Sequence, residues 1–175
     1  SNRNDRLFIE DRDATDLLKE FGSPLFVVSE DQIRRNVERF QRAFAVGWTK
    51  GPVKILPAAK ASWSTAVQRV LAEAGCGCDT YSPGELDVAL RVGFDPALIS
   101  VNGFPKEPEH VQRSVGAGAR LTIDSLEEID AIEAAARALG KRPEQLAPQL
   151  GDLQLQVGNL GPIVGGFGPG GGEFS

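Results

Sequence analysis

Four polar residues stand at one recurring place in the chain, directly after an apolar run: Lys60 after VKILPAA, Asp79 after CGC, Asn102 after LISV and Asp124 after RLTI. If each run is a β-strand, each polar residue lies at a strand's C-terminal end, where parallel α/β folds bind ligands. The position alone is weak evidence for three of them. Asp124 also fits a turn or helix-cap residue, and Asn102 an Asn-Gly turn. Lys60 is set among small and apolar residues in PAAKAS, and this context predicts a partly desolvated amine. A neutral amine attacks an aldehyde to form an imine. The competing reading is a lysine that snorkels from the rim of the fold with no role.

Other reactive residues have plainer explanations. Cys76 and Cys78 are the two cysteines of the chain, too few for a zinc site or a disulfide framework, and they read as small buried residues. His110, the single histidine, lies on a predicted helix and reads as part of a solvated face. Lys106, in a Pro-flanked loop, also reads as solvated, and Lys54 begins its strand at the end away from Lys60.

The elements that position these residues follow from the pattern. PLFVVS (24–29) reads as a buried strand. Ser29 and Gln32 form a capping box for a helix whose stripe is Ile33, Val37, Phe40 and Phe44. VKILPAA (53–59) is the next strand. Its helix starts near Ser62, turns Val67, Val70, Leu71 and Ala74 inward, and stops at Gly75. CGCDTY is a short strand. Ser82, Pro83 and Glu85 open a helix with Leu86, Ala89 and Leu90 on its apolar face and Gly93 at its end. LISVN is followed by a helix over about 108–115. RLTID is followed by a helix capped by Ser125 and Glu128, with the stripe Leu126, Ile129, Ile132 and Leu139.

The alternation predicts five strand–helix units before Gly140 and no antiparallel hairpin among them. Continuously apolar strands point to a parallel sheet covered on both faces, in a doubly wound sheet or a barrel. A closed eight-unit barrel needs roughly 200–250 residues. The 175 residues here therefore predict an incomplete (β/α) TIM-like barrel. After Leu150 come nine of the 20 glycines, so residues 141–175 read as an irregular, linker-like tail, with LQLQV as one short strand, and residues 1–140 as the domain. A net charge of -5 argues against nucleic-acid or anionic-membrane partners. No apolar run spans a bilayer and no secretory leader is visible, so cytoplasm is the expected compartment.

Several segments, in order, resemble the fold-type III pyridoxal-phosphate enzymes: the diaminopimelate, ornithine and arginine decarboxylase family with alanine-racemase-type barrels. These are FGSPLFVVSEDQIRRNVERFQRAF, PAAKAS, GCGCDTYSPGELDVAL and ISVNGFPKEPEHVQRSVGAGARLTIDSLEEID, covering about Phe21 to Gly140. The resemblance implies an N-terminal barrel portion with pyridoxal 5'-phosphate as cofactor. It implies Lys60 as the Schiff-base lysine and Asp79 beside the cofactor, with Ser82 and Glu85 at the neighbouring helix start. It also implies a homodimer when complete, and a small amino-acid substrate to be decarboxylated. PAAKAS departs from the family's usual lysine motif at Ala58, Ala59 and Ser62, which leaves the substrate open among diaminopimelate, ornithine, arginine and their relatives. Racemisation, a non-catalytic cofactor-binding protein and an inactive fragment are the alternatives. The family's ring-stacking histidine, phosphate loop and second domain are not assignable here, and PIVGGFG in the tail reads as linker. The 175-residue chain by itself is therefore expected to turn over little substrate.

Overall fold

The computed structural model describes residues 2–3, 5–62, 64–141 and 153–157. The chain opens with a small antiparallel sheet of β1 (Asn2–Arg3), β2 (Arg6–Ile9) and β3 (Arg12–Asp13). Helix α1 (Ala14–Phe21) follows, its first turn capped by the Asp13 carboxylate, which accepts from the Thr15 N–H at 2.8 Å. This sheet corrects the expectation that no antiparallel pairing precedes Gly140. Its strands are two to four residues long, too short to register as an alternating pattern.

Residues 24–29 are not a strand, which is a second correction. Phe26 is 95% exposed, Val27 and Val28 are also exposed, and no described strand pairs with the segment. A continuous apolar run fits a buried strand only if a neighbour offers free edge hydrogen bonds. Ser29 nevertheless starts α2 (Glu30–Gly47), its hydroxyl accepting from the Gln32 N–H at 2.9 Å. Val37 is buried, and Ile33 and Phe40 pack partly buried against the core.

Strand β4 (Val53–Pro57) runs into a 3-10 turn over Ala59–Ala61 that carries Lys60. Helix α3 (Thr65–Glu73) is capped by Ser64, two residues later than the Ser62 expected. Then come β5 (Cys78–Thr80), α4 (Pro83–Val92), β6 (Ile99–Val101), α5 (Pro108–Ala117), β7 (Arg120–Leu121) and α6 (Glu127–Ala138). Helix α4 has the start and stop expected of it. Ser82 Oγ accepts from the Glu85 N–H, and Gly93 takes the left-handed conformation with φ 97°. Strand β7 is shorter than the RLTID run.

β5, β6 and β7 pair in parallel, in that order. β4 meets β5 through a parallel bridge between Ala58 and Asp79 and through the Gly77 N–H donated to the Ile55 carbonyl at 2.9 Å. Gly77 is required there: a Cβ would stand 2.2 Å from the Leu98 carbonyl oxygen. On its other side β4 pairs in parallel with β8 (Leu153–Val157), the LQLQV segment. Residues 153–157 are thus the short strand read in LQLQV, paired with the domain, while 142–152 and 158–175 lie outside the described residues.

The main core gathers Val37, Ile55, Leu71, Leu86, Ile99 and Val101 between the sheet and helices α2 to α4. Burying each such side chain stabilises the fold by about 1.5–3 kcal/mol. A second cluster joins α5 to α6 through Val111, Val115, Ala135 and Ala136. The stripe expected for α6 is corrected in part: Ile132 packs inward, but Leu126 is 79% exposed and Ile129 and Leu139 are exposed as well. Alanines at 131, 135 and 136 make the contact instead, because α5 approaches that side of the helix.

Candidate functional site

Lys60 in the turn after β4, Asp79 within β5 and Asn102 just after β6 come together along neighbouring parallel strands. The turn under Lys60 is held by the Ala61 and Ser62 N–H groups, donated to the Ala58 and Ala59 carbonyls at 3.1 and 3.0 Å. It is held also by Gln68, buried on α3, whose Nε2 donates to the Ser62 carbonyl at 2.9 Å. Lys60 itself is exposed, so its amine is not desolvated as its neighbours in sequence led us to expect. Ala58 and Ala59 are buried, but the lysine sits on the outward side of the 3-10 turn, with Nζ 4.4 Å from the centre of the Tyr81 ring.

Asp79 is 2% exposed. Asn102 Nδ2 donates to Asp79 Oδ1 and, at 3.2 Å, to Ser100 Oγ, while Thr122 Oγ1 donates to Asn102 Oδ1. A polar row therefore crosses the ends of β5 and β6 to the residue after β7. Asn102 is a buried member of that row rather than a simple turn residue. Burial pushes the Asp79 carboxyl above its ordinary value, against the opposing effects of the Asn102 hydrogen bond and the Lys60 charge. The arrangement thus joins an accessible amine to a carboxylate that shares its field and is held in one orientation.

Asp124 lies further along the same side and binds a different partner. Lys106 has a side chain only 1% exposed, with Nζ 2.8 Å from Asp124 Oδ2 and 3.2 Å from Glu128 Oε2. It is a buried cation, which corrects the solvated loop lysine expected there. Glu128 also accepts the Asp124 N–H at 2.9 Å, and α6 starts without a side-chain cap, so the Ser125–Glu128 box does not form. His110 is likewise buried, at 4% exposure, and not on a solvated face. Burial, and then the Lys106 charge, hold its imidazole below the ordinary value. Cys76 and Cys78 are buried free thiols, pushed up by burial to about 11 and about 12.

Tyr81, Gln68, Thr122 and the Lys106–Glu128 pair were not singled out by sequence reasoning. A signal existed for Tyr81: it is two residues beyond Asp79, and strand residues two apart share a face. None existed for Lys106, whose partners lie 18 and 22 residues away.

Fold and site together define a parallel strand–helix domain of barrel type that presents a lysine amine and a buried carboxylate at the C-terminal ends of its strands. A family model described as "Pyridoxal-dependent decarboxylase, pyridoxal binding domain" matches residues 30–146. The chain belongs to that family, as its N-terminal, incomplete-barrel portion. It is 37% identical over 128 residues to a diaminopimelate decarboxylase of Methanothermobacter thermautotrophicus, covering 73% of this chain and 29% of that protein. A diaminopimelate decarboxylase of Mycobacterium leprae is 37% identical over 127 residues, covering 72% of this chain and 26% of the relative. Among solved structures, diaminopimelate decarboxylase from M. jannaschii in co-complex with L-lysine superposes with a TM-score of 0.76 at 34% identity, covering 80% of this chain and 33% of that one. The chain thus spans about a third or less of the length of these relatives. Among the described residues no helix is long and apolar enough to cross a membrane.

Proposed function

We propose that this chain is the lysine-bearing portion of a pyridoxal-phosphate-dependent amino-acid decarboxylase, with Lys60 as the residue that bonds the cofactor. The observation that carries the reading is the accessible Lys60 amine beside the buried, hydrogen-bonded Asp79. These residues fit the reactive end of the cofactor. A primary amine on a small-residue turn can reach an aldehyde from solvent, and a carboxylate fixed by Asn102 flanks it. Lys60 would hold the cofactor and Asp79 would support its position. The chemistry supplied by the bound group is an electron sink for the pair left when an α-carbon loses its carboxylate.

The chain's own residues do the positioning. Gln68 and the 3-10 turn fix the Lys60 backbone. Asn102 aims the Asp79 carboxylate, and Thr122 and Ser100 fix Asn102 in turn. The accessible Lys60 amine would also be the group able to hold or give up a proton at this end of the sheet. The substrate is an amino acid with a basic or second amino-carboxylate end, diaminopimelate foremost, given the relatives that share the lysine segment. The working unit is a cytoplasmic homodimer of the complete protein. Residues 1–140, with the strand over 153–157 beside β4, form the barrel portion.

The test is to load the full-length protein with pyridoxal phosphate, reduce with borohydride and map the peptides. A pyridoxyl group on Lys60 is expected. A label on any other lysine, or none, overturns the reading.

A further inference from the structure

We infer that Tyr81 is a positioning residue for Lys60: its ring face is the seat on which the Lys60 ammonium rests whenever it is not covalently engaged, and Gly103 leaves room for that ring. The inference rests on the reading of Lys60 as the cofactor lysine.

The Lys60 Nζ lies 4.4 Å from the centre of the Tyr81 ring, well inside the reach of a cation–π contact. Tyr81 belongs to neither hydrophobic cluster, and it is among the exposed large side chains of the chain. Tyr81 is 40% exposed and lies outside the core, so the contacts that hold it set its position.

Three features hold it. The Tyr81 N–H donates to Glu85 Oε2 at 2.6 Å, so the glutamate at the start of α4 pins the tyrosine backbone. Asp79, two residues back along the strand, is bridged to Ala58 next to the lysine turn, so the Lys60 and Tyr81 backbones are set in register. Gly103 has φ +91° and comes so close that a Cβ there would lie 3.3 Å from Tyr81 Cδ1 and 3.4 Å from its carbonyl oxygen. The loop after β6 therefore reads through to the lysine: Asn102 fixes the buried carboxylate and the adjacent Gly103 leaves room for the ring.

The lysine needs such a seat. Its turn is fixed at the backbone, but its exposed four-carbon stem has many rotamers. A ring face that attracts the charged head selects the arrangement in which Nζ stays at the mouth of the site.

The test uses the cofactor-free full-length protein, labelled with limiting trinitrobenzenesulfonate and mapped by peptide. The reagent attacks free neutral amines, and exposed Lys50 in the same chain is the internal reference. Removing the ring with Tyr81→Leu is expected to raise the Lys60-to-Lys50 labelling ratio about two- to fivefold, the worth of an exposed cation–π contact. Tyr81→Phe keeps the ring face and is expected to leave the ratio at the wild-type value. Gly103→Ala, which sets a Cβ against the Tyr81 ring edge and carbonyl oxygen, is expected to raise the ratio as Tyr81→Leu does. An unchanged ratio in Tyr81→Leu overturns the inference, and so does a Phe variant that labels as fast as the Leu variant. No ratio change in Gly103→Ala overturns the role given to the glycine. The borohydride map is independent of these measurements. A pyridoxyl group on another lysine would sink the cofactor assignment while the labelling ratio still reports on the ring.

Discussion

Replacing Lys106 by methionine is expected to destabilise the folded chain by about 3 kcal/mol. The substitution keeps most of the stem's packing and removes only the charge. In the native chain the Lys106 ammonium is 2.8 Å from Asp124 Oδ2 and 3.2 Å from Glu128 Oε2, with side-chain exposures of 1% for the lysine and 7% for Glu128. Breaking a buried pair costs about 3–5 kcal/mol because a charge is left without its partner in a poorly solvating place. Two features put this case at the low end. Asp124 is partly exposed, so water screens its share. Glu128 also keeps the hydrogen bond from the Asp124 N–H at 2.9 Å. Urea unfolding of wild type, Lys106→Met, Glu128→Gln and the double variant measures the coupling. The double variant should recover about 1–2 kcal/mol relative to Lys106→Met, since no unpaired buried carboxylate remains. A Lys106→Met loss of less than about 1 kcal/mol, or a double variant as unstable as the sum of the singles, would refute the claim that the pair is buried and coupled.

Two further outcomes follow from burial. His110 is held below its ordinary value of 6.5, so the folded state binds its proton more weakly than the unfolded state. Its contribution is fully present above the unfolded value and is lost as pH falls through it toward the lowered folded value. Urea midpoints should therefore drop between about pH 7 and pH 5, and His110→Leu should flatten that slope; an identical slope in the variant would be the contrary result. Cys76 and Cys78 are raised from 9.0 to about 11 and about 12, so both thiols stay neutral in the fold and their contribution, full below the unfolded value, is lost as pH rises toward those values. Iodoacetamide at pH 8 should leave the native protein unmodified and alkylate both cysteines in urea, as mass spectrometry would read; rapid modification of the native chain would contradict their burial.

What the sequence determined by itself is whatever a few neighbouring residues decide. Ser82, Pro83 and Glu85 at one end and Gly93 at the other specify α4 through hydrogen bonds and φ angles that span one turn. Ser29 does the same for α2, and Val37 lies on the buried face that the stripe marked. The positions of Lys60 and Asn102 just beyond strand ends were legible for the same reason, each following its own apolar run, while Asp79 falls inside the three-residue β5. The tertiary structure alone decided which polar groups left water. Lys106 and His110 look solvated in sequence because charge carries no information about burial, and the carboxylates that make burial of Lys106 tolerable come from residues 18 and 22 positions away. The same competition undid the Ser125–Glu128 cap: one glutamate had to serve the helix start or the buried lysine, and it went to the lysine and the Asp124 N–H. Apolar runs were ambiguous for the complementary reason. PLFVVS and LQLQV both suit a strand, but a strand exists only where an edge is free to pair. The edge of β4 is taken by residues 153–157, and residues 24–29 pair with no strand among the described residues.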